Sequence, residues 1–195
     1  MTYEEYYGDD YIKLKDAERF LCAAAEAMKS EDRGDEDLQP IVYYCSRIKH
    51  PDSMMRKLAD RGFTSDAASA LTNVYDAVGI RIICSFASDV FAVVGRIEAD
   101  PAIEVIEKKD YLSHPKPSGY RSIHLCVRLA GSGTLAEIQV RTIAMDFWAT
   151  LEHQLKYKKK INSEALIRSE LKRCADEIAS VDISMQTIRE ILKEI

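Results

Sequence analysis

The sequence predicts a single α/β (α+β) domain with a long C-terminal helix, and three observations carry that prediction. Residues 116–141 contain two runs of period-two alternation joined by A-G-S-G, the pattern of two half-buried strands in a hairpin. D-A-V-G-I-R-I-I-C-S-F over 76–86 reads as another strand, followed at once by the helical S-D-V-F-A-V-V-G-R-I-E. Toward the C-terminus, Leu171, Cys174, Ile178, Val181, Met185, Ile188, Leu192 and Ile195 recur three and four apart. That is a heptad seam sustained over about three repeats, as in a helix that packs on another helix.

Each element has its own local signal. Residues 1–15 are acidic and tyrosine-rich without a clear period, and they are expected to be an N-terminal extension. The run from Asp16 to Ser30 is helical by its alanine-rich composition. The acidic stretch E-D-R-G-D-E-D over 31–37 is expected as a loop. I-V-Y-Y-C-S-R-I-K-H-P is β-prone and carries Arg47 and Lys49 at i and i+2. After it, D-S-M-M-R-K-L-A-D-R-G is a helix with Pro51 at its start and Gly62 just past its end. Ser53 and Lys57 share one face of that helix. Residues 66–75 form a further short helical segment. In the strand over 76–86, Ile80, Ile82, Cys84 and Phe86 make the apolar set, and Arg81 takes the other face. Ser88 or Asp89 is the expected N-cap of the helix that follows. I-E-V-I-E-K-K-D-Y is a strand, and S-H-P-K-P-S-G is the loop into the hairpin. I-A-M-D-F-W-A-T-L-E-H-Q-L-K-Y-K is an amphipathic helix with Phe147 and Trp148 expected in the core. The chain thus divides into an extension (1–15), a central domain (16–162) and a C-terminal helix (163–195) suited to oligomerisation.

Composition narrows the function classes. A chain that is 47% hydrophobic and 30% charged can bury a core and stay in solution. Its apolar runs are too short to span a membrane, and the acidic N-terminus has no signal-peptide h-region. Five widely spaced cysteines without a CxxC pair argue against a disulfide framework or structural zinc. The expected location is the cytoplasm. A net charge of −5, from 27 basic and 32 acidic residues, argues against a general nucleic-acid binder. Basic residues cluster locally, with Arg47, Lys49, Arg56, Lys57 and Arg61 in one segment and Lys108, Lys109, Lys116 and Arg121 in another. Local positive pockets in an acidic chain suit a small polyphosphate.

The hairpin sets where the chemistry lies. Ile123, Leu125, Val127 and Leu129 point one way, and Ser122, His124 and Cys126 the other. On the second strand Ala136, Ile138 and Val140 oppose Glu137, Gln139 and Arg141. A one-residue slip would bury the charges, so the register follows: Ser122 opposite Arg141, His124 opposite Gln139, Cys126 opposite Glu137. Such a face packs poorly and makes a floor for a polar, phosphate-bearing ligand. Asp76 and Glu137 are the carboxylates that strand ends and sheet face bring together, as a Mg²⁺–polyphosphate site requires. Spacing alone fits better with Asp76 as a loop cap and Glu137 as an arginine partner, since ion pairs on sheet faces are common. Arg47, Lys49, Ser53, Lys57 and Arg81 could hold a triphosphate, with the two arginines sandwiching a purine. Tyr120, after Gly119, offers a ring for stacking, and His124 beside Gln139 is a candidate polar contact.

Four ordered motifs, R-I-K-H-P-D-S-M-M-R-K-L, D-A-V-G-I-R-I-I-C-S-F, K-P-S-G-Y-R-S-I-H and A-E-I-Q-V-R-T-I-A-M-D-F-W-A-T-L-E-H-Q-L-K-Y-K, resemble the synthetase domain of the RelA/SpoT family. The likeness is greatest to its stand-alone small alarmone synthetases and covers roughly residues 16–195. It implies a nucleotidyltransferase-like mixed β-sheet flanked by helices, and a cytoplasmic GTP pyrophosphokinase of the stringent response. Such an enzyme transfers the β,γ-pyrophosphate of ATP to the 3′-hydroxyl of GDP or GTP, makes (p)ppGpp and releases AMP.

Carried over residue by residue, the resemblance implies that Arg47 and Arg81 bracket adenine while Lys49, Ser53 and Lys57 hold the ATP phosphates. Asp76 and Glu137 would bind Mg²⁺, with Glu137 also a candidate to accept the 3′-hydroxyl proton. Tyr120 would stack on guanine, with Lys109, Lys116, His124 and Gln139 around the acceptor. A homo-oligomer, a tetramer by the resemblance, is expected, with no membrane and no stable nucleic-acid complex, though regulation by RNA stays open. Two departures stand out. There is no His-Asp dipeptide, so the hydrolase half of the long family members is missing, and the short A-G-S-G loop leaves little to cover the acceptor. The alternatives are a related pyrophosphokinase using an adenine nucleotide or a tRNA 3′ end, and a catalytically silent nucleotide-binding regulatory module. The intact Asp76 and Glu137 pair speaks against silence.

Overall fold

The computed structural model describes residues 1–30, 39–156 and 164–194. In chain order its elements are α1 (Tyr3–Tyr7), α2 (Asp10–Ser30), β1 (Ile41–Ile48), α3 (Pro51–Asp60), α4 (Ala67–Asn73) and β2 (Val78–Cys84). They continue with α5 (Ala87–Ala99), β3 (Ile103–Asp110), β4 (Ile123–Leu129), β5 (Leu135–Thr142), α6 (Ile143–Lys156) and α7 (Glu164–Lys193). The strands form one mixed sheet in the order β1-β2-β5-β4-β3, in which β2 and β5 run parallel and the other pairs antiparallel. The parallel pair lies inside the sheet, flanked by β1 on one side and β4 on the other.

One face of the sheet is the core. Ile80 and Ile82 of β2, Leu125 and Val127 of β4, and Ile138 and Val140 of β5 are buried there together. Leu14, Ala17, Leu21 and Ala25 form the apolar stripe of α2, and Val90, Val93, Val94 and Ile97 that of α5. Burying each of the larger side chains stabilises the fold by about 1.5–3 kcal/mol.

The hairpin adopts the expected register. His124 lies opposite Gln139, and Cys126 opposite Glu137. Residues 130–134 join the strands, with the Leu129 amide donating to the Thr134 carbonyl at 3.0 Å. Gly133 takes the left-handed φ of +69° that this turn needs. The ladder stops at Ile123–Val140, so Ser122 and Arg141 do not form a ladder pair. Ser122 instead donates its hydroxyl to the Val140 carbonyl at 3.2 Å.

Four expectations need correction. Residues 1–15, read as lacking a period, are helical. The Thr2 hydroxyl accepts from the Glu5 amide (3.1 Å) and the Glu5 carboxylate from the Thr2 amide (2.6 Å), a capping box that starts α1. Tyr6 and Tyr7 are buried in the core, and α2 begins at Asp10 rather than Asp16. The N-cap of α5 is neither Ser88 nor Asp89. Phe86 keeps the extended strand backbone up to the helix start, and Asp89 at the third helical position accepts from the Phe86 amide at 3.1 Å. Phe147 is exposed while its neighbour Trp148 is buried, because successive helical residues point about 100° apart. The heptad seam also splits. Leu171, Cys174 and Ile178 pack beside Trp148 of α6, whose indole donates to the Leu171 carbonyl at 2.9 Å. Val181, Met185, Ile188 and Leu192 are exposed. The loop expected over 31–37, the last residues of the α6 motif and Ile195 lie outside the described residues.

Candidate nucleotide site

The second face of the sheet is polar, and its residues fall into rows that cross the strands. One row runs Cys45, Arg81, Gln139, His124, Lys109 from β1 to β3. The next runs Arg47, Gly79, Glu137, Cys126, Glu107. Period-two alternation in five strands is enough to produce both rows. Gly79 leaves a gap between Arg47 and Glu137, and a Cβ there would come within 3.3 Å of the Glu137 carbonyl oxygen. The resulting cleft is lined by Arg47, Asp76, Gly79, Arg81, Glu137 and Gln139 among others, and measures about 400 Å³ with its open mouth.

At one end Asp76 gathers the cations. Its Oδ2 accepts from Lys49 at 2.8 Å and from Lys57 at 2.7 Å. Burial alone would raise its pKa, but the two lysines more than offset this and hold the carboxyl below its ordinary value. Asp76 Oδ1 is buried without a hydrogen-bond partner. An unpaired buried acceptor costs about 1–3 kcal/mol, and a hard cation bound by oxygen would satisfy it. Among the described residues no group of three His, Cys, Asp or Glu side chains could hold a metal. Tyr7 steadies this end, donating its hydroxyl to the Lys49 carbonyl at 2.8 Å. Ser53 sits in the first turn of α3, one turn before Lys57.

At the other end Glu137 joins the aromatic groups. Its Oε2 accepts from the Gln139 amide at 2.8 Å, and its Oε1 lies 3.3 Å from His124 Nδ1. His124 Nε2 lies 2.8 Å from the Tyr120 hydroxyl. In the neutral imidazole, a carboxylate that only accepts places the proton on Nδ1 and leaves Nε2 to accept from Tyr120. Burial pushes Glu137 up and Asp76 adds repulsion, yet His124 and Gln139 bring its pKa below the ordinary value. Burial also raises the Tyr120 phenol. Gly119 allows Tyr120 its place: it has φ +89°, and a Cβ would lie 2.4 Å from the Ala175 Cβ of α7. Lys116 Nζ stands over the rings of Tyr111 (4.3 Å) and Tyr120 (5.1 Å). Lys109 pairs with Glu107 at 3.0 Å, beside His124 in the row.

Most of the residues singled out in the sequence come together, while Ser53 stays on α3 and Lys109 pairs with Glu107. Arg47, Asp76, Arg81, Glu137 and Gln139 line one cleft, Lys49 and Lys57 join through Asp76, and His124, Tyr120 and Lys116 through Glu137. Sequence reasoning missed Tyr43, Tyr111, Arg141 and Asp146. Arg141 was assigned to the polar face by alternation, but nothing in the periodicity tells that Asp146 of α6 folds over that face to meet Arg141 (3.0 Å), Arg81 (3.2 Å) and Tyr43 (2.7 Å).

Known proteins resemble this chain in sequence and in fold. Residues 46–162 match the family model described as a region found in RelA/SpoT proteins. The chain is 38% identical over 157 residues to GTP pyrophosphokinase YwaC of Bacillus subtilis, covering 77% of this chain and 75% of the relative. It is 33% identical over 196 residues to GTP pyrophosphokinase YjbM of the same organism, covering 92% of each. A GTP pyrophosphokinase family protein from Streptococcus pneumoniae superposes with a TM-score of 0.83 at 31% identity, over 100% of this chain and 97% of that one. Small alarmone synthetase 1 of B. subtilis, in a crystal structure bound to its product pppGpp, superposes with a TM-score of 0.81 at 31% identity, over 91% and 93%. With the family model spanning most of the chain and both relatives matched over at least three quarters of their length, this chain belongs to the RelA/SpoT family.

Proposed function

We propose that the chain is a GTP pyrophosphokinase of the small alarmone synthetase kind, which transfers the β,γ-pyrophosphate of ATP to the 3′-hydroxyl of GDP or GTP. The single observation that carries this reading is Glu137, one row from Arg81 and hydrogen-bonded toward Tyr120 through His124. It joins a cationic end suited to a triphosphate and an aromatic end suited to a nucleoside. Relatives named GTP pyrophosphokinase, and a similar structure bound to pppGpp, support the same reading. In the reaction the acceptor 3′-oxygen bonds to the β-phosphorus and the bond from that phosphorus to the α,β-bridging oxygen breaks. AMP leaves with the electron pair, and the hydroxyl proton passes to solvent or a base. Such a transfer depends chiefly on alignment and charge neutralisation.

The residues divide this work. Arg47 and Arg81 take the adenine, and Lys49, Ser53 and Lys57 the ATP phosphates, the two lysines exchanging Asp76 for phosphate oxygens. Asp76 and Glu137 would hold Mg²⁺, which when bound neutralises phosphate charge. The unpartnered Asp76 Oδ1 supports that assignment. Tyr120 stacks on the acceptor base, with Lys109, Lys116, His124 and Gln139 around its ribose and phosphates. Glu137 is the candidate to receive the 3′-hydroxyl hydrogen bond. Its depressed pKa suits it to orienting that group more than to storing its proton.

Among the described residues no helix is long and apolar enough to cross a membrane, and we assign the enzyme to the cytoplasm, where ATP and GTP are abundant. The net charge of −5 argues against a stable nucleic-acid complex. The exposed half of the α7 seam borders an apolar groove lined by Val42, Ile143, Phe147, Val181 and Met185. We assign that groove to a second copy of the chain, and light scattering that gave a monomer at high micromolar concentration would count against it.

The activity test supplies labelled ATP and Mg²⁺ with GDP, GTP, ADP or AMP in turn. AMP release coupled to a pyrophosphorylated guanosine nucleotide is expected with GDP and GTP alone. Equal transfer to ADP would replace the guanine acceptor, and no transfer to any would leave a silent binding module.

A further inference from the structure

Three strands send a side chain to one carboxylate. Asp146 lies in the first turn of α6, with its side chain 12% exposed. Its Oδ1 accepts from Arg81 Nη1 of β2 (3.2 Å) and forms an ion pair with Arg141 Nη2 of β5 (3.0 Å). Its Oδ2 accepts from the Tyr43 hydroxyl of β1 at 2.7 Å. Arg81 lines the cleft. Arg141 is buried, with its guanidinium carbon 6.0 Å from the centroid of the Tyr120 ring. One anion therefore stands between the arginine of the donor side and the arginine behind the acceptor side.

The chemistry of guanidinium explains why this arrangement matters. A guanidinium stacks on a base through its flat face and hydrogen-bonds through its edge. Asp146 takes an edge N–H of Arg81 and leaves the face free for a purine. Arg81 and Arg141 also repel: the positive charge of Arg81 lowers the pKa of Arg141, after the larger effect of burial, and Asp146 opposes it. Removing the carboxylate leaves two close cations in a poorly hydrated site with nothing to set their planes.

We infer that Asp146 is a positioning residue for both substrates, fixing the Arg81 guanidinium for the ATP base and Arg141 against Tyr120. The inference rests on the assignment of ATP to Arg47 and Arg81 and of the acceptor to Tyr120. It adds a shared element through which the two subsites are aligned together.

The test measures KM for ATP and for GDP, together with kcat and Tm, in Arg81→Ala, Asp146→Asn, Asp146→Glu and the Arg81→Ala/Asp146→Asn double variant. Asp146→Asn is expected to raise KM for ATP about tenfold and for GDP about threefold, the loss of one charge-assisted contact, while kcat changes less. Asp146→Glu restores the charge and should give intermediate values. In the Arg81→Ala background Asp146→Asn should add little to KM for ATP, because its route to ATP is already gone. A merely structural role would lower Tm and leave both KM values unchanged, and that result overturns the inference. If Arg81→Ala itself leaves KM for ATP unchanged, the assignment of the ATP site fails first, and the two failures are thereby told apart. Should Asp146→Asn not fold, Asp146→Glu decides: a folded protein with an unchanged KM for ATP overturns the inference, and a raised one upholds it.

Discussion

The two faces of the sheet are built by the same strands and follow opposite rules. On the core face Leu125, Ile138 and Val140 are buried and interchangeable in kind, because burial of apolar area has no direction. On the polar face Arg141 is also buried, and His124 nearly so, but each depends on a particular partner: Asp146 for the one, Glu137 and Tyr120 for the other. Hydrogen bonds and charges have direction, and a buried polar group that loses its partner carries the full desolvation penalty. Change on the core face therefore acts on stability alone, while change on the polar face acts on binding and turnover as well.

The largest expected effect breaks the polar face at its carboxylates. Asp76→Asn or Glu137→Gln keeps the size and removes the charge, and should lower kcat about a thousandfold or more, as loss of a main electrostatic contact at a phosphoryl-transfer site does. Near-normal turnover of Asp76→Asn at saturating Mg²⁺ would remove that residue from the metal site. On the core face Leu125→Ala should destabilise the fold by about 2–5 kcal/mol and leave both KM values of the folded protein intact. Denaturant unfolding beside steady-state kinetics checks this, and a changed KM without loss of stability would erase the contrast between the faces.

Tyr120→Ala should raise the acceptor KM about ten- to a hundredfold, as loss of an aromatic–base stack does. KM for ATP should barely change, since the proposed adenine contacts are on β1 and β2. A weaker affinity for ATP with GDP and GTP unaffected would exchange the two subsites. The smallest effect is on acid stability. Asp76 and Glu137 both have depressed pKa values in the folded chain. Their contribution is therefore fully present above the ordinary carboxyl pKa of about 4 and fades as pH falls through the lower folded values. Thermal unfolding from pH 7 downward should show a shallower acid limb in Asp76→Asn than in the parent protein, and identical limbs would mean that the lysine pair adds no pH-linked stability.

Much of the fold and site was legible because local rules act within a few residues of chain. Alternation alone places His124, Glu137, Gln139 and Arg141 on one face, and the penalty for burying charge sets the hairpin register that β4 and β5 adopt. Pro51 and Gly62 bracket α3 as their backbone preferences require. The capping box of Thr2 and Glu5 is also present in the sequence, but it stands in a run without an apolar period to mark a helix. The roles of the individual site residues were a different matter, since they came from the motif resemblance and not from spacing.

Only the tertiary structure decided which distant groups meet. No pattern in M-D-F-W distinguishes an aspartate facing solvent from Asp146, which closes over the sheet to meet residues as remote in sequence as Tyr43. The same holds for the α7 seam, uniform in its spacing yet packed on α6 at Leu171 and Ile178 and exposed at Val181 and Leu192. Periodicity records which side of an element is apolar or polar. What lies against that side depends on how separate elements stack, and therefore on interactions between residues far apart in the chain.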